Sequence, residues 1–261
     1  MSDLKIITYN CRGLASQEKR RDVLNYLRKT KFDIFFLQDT HVTTKNMSVF
    51  NNLWRGKCYH SCGTFNSRGT SILFKPNVQH EIIYEEYCKE GNFVIIVCNI
   101  FPNKYTFVNI YGPNEDRPDF FRQLSTKLSE LPSENILIGG DFNFVMNYRR
   151  DSNYTQQNNP RARDAFANLA EQHGLLDSWS ELNPQKDIVT WCRQNPFKCG
   201  RLDRLYVQEH LISHVIECNV QAGYRSDHSI VSLGLKQPQK KVALDFGSSM
   251  NLYLMTKITK H

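Results

Sequence analysis

Short apolar runs that stop on a polar residue constrain this chain more than any other feature. LKIITYN (4–10), DIFFLQ (33–38), FVIIVCNI (93–100), YTFVNIY (105–111) and NILIGG (135–140) are rich in β-branched and aromatic residues. Each is far shorter than the ~18 apolar residues of a membrane span. They read as strands, several of them buried on both faces. TSILF (70–74) is a further strand, and shorter ones fit 188–192, 201–207, 215–220 and 229–235. Between them lie stretches with helical spacing. Ser16 precedes Val23, Leu24 and Leu27 in a helix ending near Lys29, and Phe120, Leu124, Leu128 and Leu131 recur up to Pro132. A polar loop (147–160) leads to a helix carrying Phe166, Leu169 and Ala170. The mixture predicts one α/β domain over residues 1–235, with two packed sheets and helices outside them. Residues 236–261 open on KQPQKK without periodicity and read as a poorly ordered tail or linker remnant.

Composition narrows the function classes. Hydrophobic residues make up 40% and aromatics 12%, which excludes a disordered chain. The first residues are too polar for a secretory signal, so an unsecreted protein without a membrane span is expected. Its eight cysteines are then expected as thiols. Cys58 and Cys62 flank His60 but lack the second ligand pair of a zinc site, and Cys192 and Cys199 read as hairpin thiols. Lysine and arginine exceed aspartate and glutamate by 33 − 26 = 7. That surplus suits a polyanionic partner and suits plain solubility equally well.

Five polar segments sit at strand ends, where a rigid scaffold presents side chains. They are Thr8–Asn10, Leu37–Thr40, Asn109–Asn114, Gly139–Asn143 and Ser226–His228. Any one of them could simply open a turn. Together they gather hard oxygen ligands (Asp39, Asp141, Asp227, with Asp203 further along), two neutral amides (Asn10, Asn143) and an imidazole (His228). Magnesium takes few carboxylates plus water and phosphate. Asp203 could orient the imidazole through its other nitrogen. The set suits metal-assisted hydrolysis of a phosphodiester.

In order along the chain, TYNCRGL, FLQDTHV, GTSILF, NIYGPN, GGDFN, the TW…RLDRLYV segment and YRSDHSIV resemble the endonuclease/exonuclease/phosphatase superfamily. The resemblance is strongest to the endonuclease domain of LINE-type (non-LTR) retrotransposons, and it covers residues 4 to about 235. It implies a DNase I-like four-layer α/β sandwich of two mixed sheets. It implies catalytic roles for Asn10, Asp39, Tyr111, Asp141, Asn143, Asp203 and His228, with Asp39, Asp227 and Asn10 at a Mg2+ site that Mn2+ could also fill. Asp141 matches the group thought to activate water, and Tyr111 and His228 match groups on the phosphate. Thr190 and Ser226 fall at positions near the site. Asp39 departs from the pattern: it stands one methylene short of the family's usual glutamate.

The stretch 191–201 reads as a β-hairpin, since two strand-like ends flank a polar turn. LINE-type enzymes carry a hairpin here that reaches the minor groove. Thr190, Arg193, Lys198, Arg201 and Ser226 are therefore the candidate DNA-facing residues, and groove shape would dominate any preference. Arg20, Arg21, Arg149, Arg150, Arg161 and Arg163 are further basic candidates. The reading is an endonuclease that nicks one strand of double-stranded DNA and leaves a 3′-hydroxyl to prime a reverse transcriptase domain. Its site of action would be the nucleus after cytoplasmic synthesis. Two alternatives stand beside it: a phosphodiesterase of lipid head groups, and a DNA-binding remnant that has lost its chemistry.

Overall fold

A computed structural model describes residues 3–155 and 158–237. The tail expected from residue 236 onward falls almost entirely outside them. The elements run β1 (Leu4–Asn10), α1 (Gln17–Lys29), β2 (Ile34–Gln38), α2 (Met47–Trp54), β3 (Lys57–Ser61), β4 (Thr70–Phe74) and β5 (Glu81–Tyr87). Then follow β6 (Phe93–Ile100), β7 (Asn103–Tyr111), α3 (Pro118–Glu130), β8 (Ile136–Asp141), α4 (Tyr148–Asp151), α5 (Pro160–Gln172), β9 (Leu175–Asp177) and α6 (Ser178–Leu182). The chain continues through β10 (Trp191–Arg193), β11 (Lys198–Gly200), β12 (Asp203–Gln208), β13 (Val215–Gln221) and β14 (Ile230–Leu235).

Two six-stranded sheets form, in the orders β13-β14-β1-β2-β4-β3 and β5-β6-β7-β8-β12-β9. Only β1–β2 and β7–β8 are parallel among the named pairings, so both sheets are mixed. Successive side chains of a strand face opposite ways. Ile6 and Phe36 accordingly point between the sheets, where they meet Val94, Ile96, Phe107 and Leu137. Ile7 and Phe35 point outward, beneath Val23, Leu24 and Leu27 of α1 and Phe50 and Trp54 of α2. On the other side α3 and α5 cover the second sheet through Phe121, Leu124, Phe166 and Leu169. The result is the four-layer α/β sandwich expected. Burial on both faces is why the strand runs are continuously apolar.

Some elements were invisible beforehand. β5 (EIIYEEY) is an exposed edge strand with charges on it, so it lacks the apolar run that marked the others. β3 carries His60, whose Nδ1 lies 2.7 Å from Ser71 Oγ and whose Nε2 lies 2.8 Å from Asn51 Oδ1. Those two partners suit a neutral ring, and burial lowers its pKa from the ordinary 6.5 to about 4.

The sign of the pH effect follows from linkage. Between pH 6.5 and 4 the unfolded chain binds the His60 proton and the folded chain does not, so stability falls as pH falls through that window. At ~1.4 kcal/mol per pKa unit, the loss from this one group is about 2–3 kcal/mol. Urea unfolding at pH 7.5 and pH 4.5 should therefore show a smaller acid loss for His60→Gln than for the wild type, by about that amount.

Candidate active site

The strand ends converge on one polar cavity of about 720 Å³. Asn10, Asp39, Tyr111, Asp141, Asn143, Asp227 and His228 all line it. Registers explain the gathering. Asn10 pairs with Gln38 at the end of one sheet, and Tyr111 and Asp203 flank Asp141 at the end of the other.

Asp141 is the centre. Its Oδ2 accepts Asn10 Nδ2 at 2.8 Å and its Oδ1 accepts the Asn143 backbone N–H at 2.9 Å. Asn143 takes the left-handed conformation (φ 56°), which asparagine tolerates, and turns its amide onto the Gly112 carbonyl at 2.7 Å. Burial raises the Asp141 pKa and the Asp203 charge adds to that, while His228, Asn10 and Asn143 oppose the rise. A carboxylate in that state is more basic than an exposed one.

His228 Nδ1 lies 2.9 Å from Asp203 Oδ2, and its Nε2 lies 3.9 Å from Asp141 Oδ2. Burial alone would lower the imidazole pKa, but Asp203 and Asp141 outweigh it and hold the ring in its charged form. Tyr111 has its hydroxyl pKa raised by burial and by the charges of Asp141 and Asp39, so the group remains a donor.

Thr190 and Arg201, candidates for facing DNA, are both buried. Thr190 is buried, donates its hydroxyl to Asp203 Oδ2 at 2.6 Å, and accepts the N–H groups of Leu202 and Asp203 at 3.0 Å. Arg201 is buried in ion pairs with Asp151 and Asp177. Its position next to hairpin residues suggested DNA, but two internal carboxylates claim its guanidinium. Cys192 and Cys199, expected as thiols, are cross-strand neighbours 4.1 Å apart at Cα and form a disulfide. Arg193 is exposed on the hairpin, and Lys198 Nζ sits 5.1 Å from the Tyr154 ring centroid. Ser226 is half-buried and donates to the Asn10 carbonyl at 2.8 Å. Of the further basic candidates, Arg20 is buried on the carbonyls of Leu14 and Ala15, and Arg161 pairs with Asp116.

Sequence reasoning missed Arg12 and Trp191. Arg12 meets Asp227 at 3.1 Å, and the Trp191 indole donates to the same carboxylate oxygen at 3.1 Å. The tryptophan stands inside the TW…RLDRLYV segment, yet nothing local marks its ring as a donor toward a residue 36 positions away.

Donor chemistry bears on a cation. Among the described residues, Asp227 Oδ1 is buried without a hydrogen-bond partner, and Asp227 lies on the cavity wall. Among the described residues, Asp39 makes its side-chain contacts through Oδ1, which accepts the Arg68 N–H at 3.0 Å and lies 3.1 Å from His41 Nε2. Those oxygens suit a hard divalent ion. Asp141, Asp203 and His228 also place ligand atoms within 4.8 Å of one another. Asp203 Oδ2 is already engaged by both Thr190 and His228, so that buried trio reads first as a hydrogen-bonded group rather than a ligand set.

Comparison with known proteins identifies the family. The model of the endonuclease/exonuclease/phosphatase family matches residues 7–228, and the chain belongs to that family. Nucleases of that family are generally dependent on divalent metal. An uncharacterized 149 kDa protein of transposon TX1 from Xenopus laevis is 29% identical over 239 residues, covering 88% of this chain and 18% of that protein. The chain thus spans under a fifth of that relative. An exodeoxyribonuclease of Bacillus subtilis (strain 168) is 24% identical, with 88% of this chain and 98% of that one covered. AP endonuclease LMAP from Leishmania major shares the fold at a TM-score of 0.78 and 18% identity, over 91% of this chain and 89% of that one. The endonuclease domain of TRAS1, a telomere-specific non-LTR retrotransposon, aligns at 0.66 and 13% identity, over 90% and 98%.

Thr190→Val removes one donor and one acceptor from the buried Asp203 environment. It should cost about 2–4 kcal/mol, read as a lowered melting temperature, because the stranded groups keep their desolvation penalty. Thr190→Ser, which keeps the hydroxyl, should lose much less.

Proposed function

We propose that this domain is a Mg2+-dependent DNA endonuclease that nicks one strand and leaves a 3′-hydroxyl, supplying the primer for a reverse transcriptase domain of a LINE-type element. The observation that carries the reading is the Asp141–His228–Asp203 group on a polar cavity shared with Asn10, Asn143 and Tyr111. The large transposon protein among its relatives and the net charge of +7 favour a DNA substrate. Nuclear action after cytoplasmic synthesis belongs to the same proposal.

Asp39, Asp227 and Asn10 would hold the ion, which when bound supplies charge stabilisation to the departing oxygen. Mn2+ could take the same oxygens. The chain's own residues do the rest. Asp141, made more basic by burial, accepts the proton of the attacking water. Asn143 and Asn10 hold Asp141 in place through hydrogen bonds of 2.9 and 2.8 Å. His228 is kept charged by Asp203 and presents Nε2 to a phosphate oxygen, and Tyr111 donates its hydroxyl there. Arg193 and Lys198, on the two hairpin strands, meet backbone phosphates in this reading.

A supercoiled-plasmid assay tests the reading. The wild type should produce open circles with Mg2+ and none with EDTA. Asp141→Ala and His228→Ala should each lose at least ~100-fold in rate while melting cooperatively. Near-wild-type nicking by either variant would overturn the assigned roles. Salt-sensitive DNA binding without any cleavage would favour the remnant reading instead.

A further inference from the structure

A buried ion cluster lies behind the hairpin and takes no part in the chemistry above. Asp151 accepts Arg201 Nε at 3.1 Å, and Asp177 meets Arg201 at 2.8 Å. Arg204 reaches Asp151 at 3.4 Å and Asp177 at 3.6 Å. Two cations and two anions therefore cancel out of contact with most solvent. Apolar residues of similar volume would commonly fill such a space at no loss of stability, so stability is a weak reason for the cluster.

Its connections suggest another. The two arginines bracket Leu202 and Asp203 in sequence. The Arg201 N–H donates to the Asp151 carbonyl at 2.8 Å, and Ser152 bridges to Gly200. The Cys199 N–H donates to Asn153 Oδ1 at 2.7 Å. From Gly200 the carbonyl accepts the Thr190 N–H at 3.0 Å, and the Thr190 carbonyl accepts the N–H of Ser229, next to His228, at 2.6 Å. Thr190 also holds Asp203 directly at 2.6 Å. The cluster thus anchors both the strand carrying Asp203 and the hairpin base against which His228 lies.

We propose that the Asp151–Arg201–Asp177–Arg204 cluster is a positioning device for the Asp203–His228 pair. None of the four touches the cavity where reaction occurs, so they act through the pair. The proposal rests on the nuclease reading of that pair.

Arg201→Lys is the informative change, because it keeps the charge and loses the planar fork that spans two carboxylates. Asp177→Asn, at the less buried corner, asks the same question with a milder change. The readouts are nicking kinetics and the His228 Nδ1–H proton resonance, recorded without DNA. Both variants should fold, lose about 10- to 100-fold in kcat with little change in KM, and show a displaced resonance. A cavity of about 360 Å³ opens onto Arg201, Asp151 and Asp177. Millimolar methylguanidinium should therefore restore part of the rate of Arg201→Ala. Folded variants with wild-type kcat and an unmoved resonance would overturn the proposal. A raised KM with kcat intact would overturn it as well, by making Arg201 a substrate contact. If the wild type itself fails to nick DNA, the nuclease reading falls, while the resonance still decides whether the cluster positions His228.

Discussion

Hydrogen bonds between the two sheets hold this protein's site together. Gln38 on one sheet donates to Asn109 on the other at 2.6 Å, and Asn109 returns bonds to the carbonyls of Leu37 and Ser71 at 2.9 and 2.8 Å. At the rim, Asn10 of the first sheet donates to Asp141 of the second. An apolar interface alone is non-directional and could slide. Buried amides cannot slide without stranding donors, at a cost of about 1–3 kcal/mol for each one left unmade. These few bonds therefore fix the register of the sheets at the end where the chemistry lies.

That register matters because neither sheet holds a complete site. The first contributes Asn10, Asp39, Asp227 and His228 from its strands and the loops at their ends. The second contributes Tyr111, Asp141 and Asp203. Asp203 and His228 come from opposite sheets and meet at 2.9 Å. Preorganised dipoles and charges are useful only if they stay aimed, and here the aim is supplied by packing between layers.

Electrostatics adds a second level. Asp141 is pushed toward basicity by burial while His228 is held charged by two carboxylates. Both pKa values move upward, which makes the carboxylate a stronger base and keeps its neighbour a cation within a few ångströms. The disulfide across the hairpin base and the ion cluster behind it stiffen the element that carries Thr190 and leads to Asp203.

The strands, the main helices and the four layers were legible in the sequence, because burial on two faces writes a continuous apolar run and helix packing writes a 3.6-residue spacing. The site residues were legible by type and by their places at strand ends, helped by a family resemblance across seven ordered segments. Other features were not. Arg201 and Arg193 look alike as basic residues of one hairpin, yet the first is buried on Asp151, fifty positions away, and the second is exposed. Thr190 falls near the site in the sequence reading, but only the fold shows its hydroxyl to be a buried partner of Asp203. Trp191 and Arg12 become part of the site only through Asp227. Local periodicity records which face of an element is buried. It carries no record of which distant group waits there, and for a polar side chain that partner decides its role.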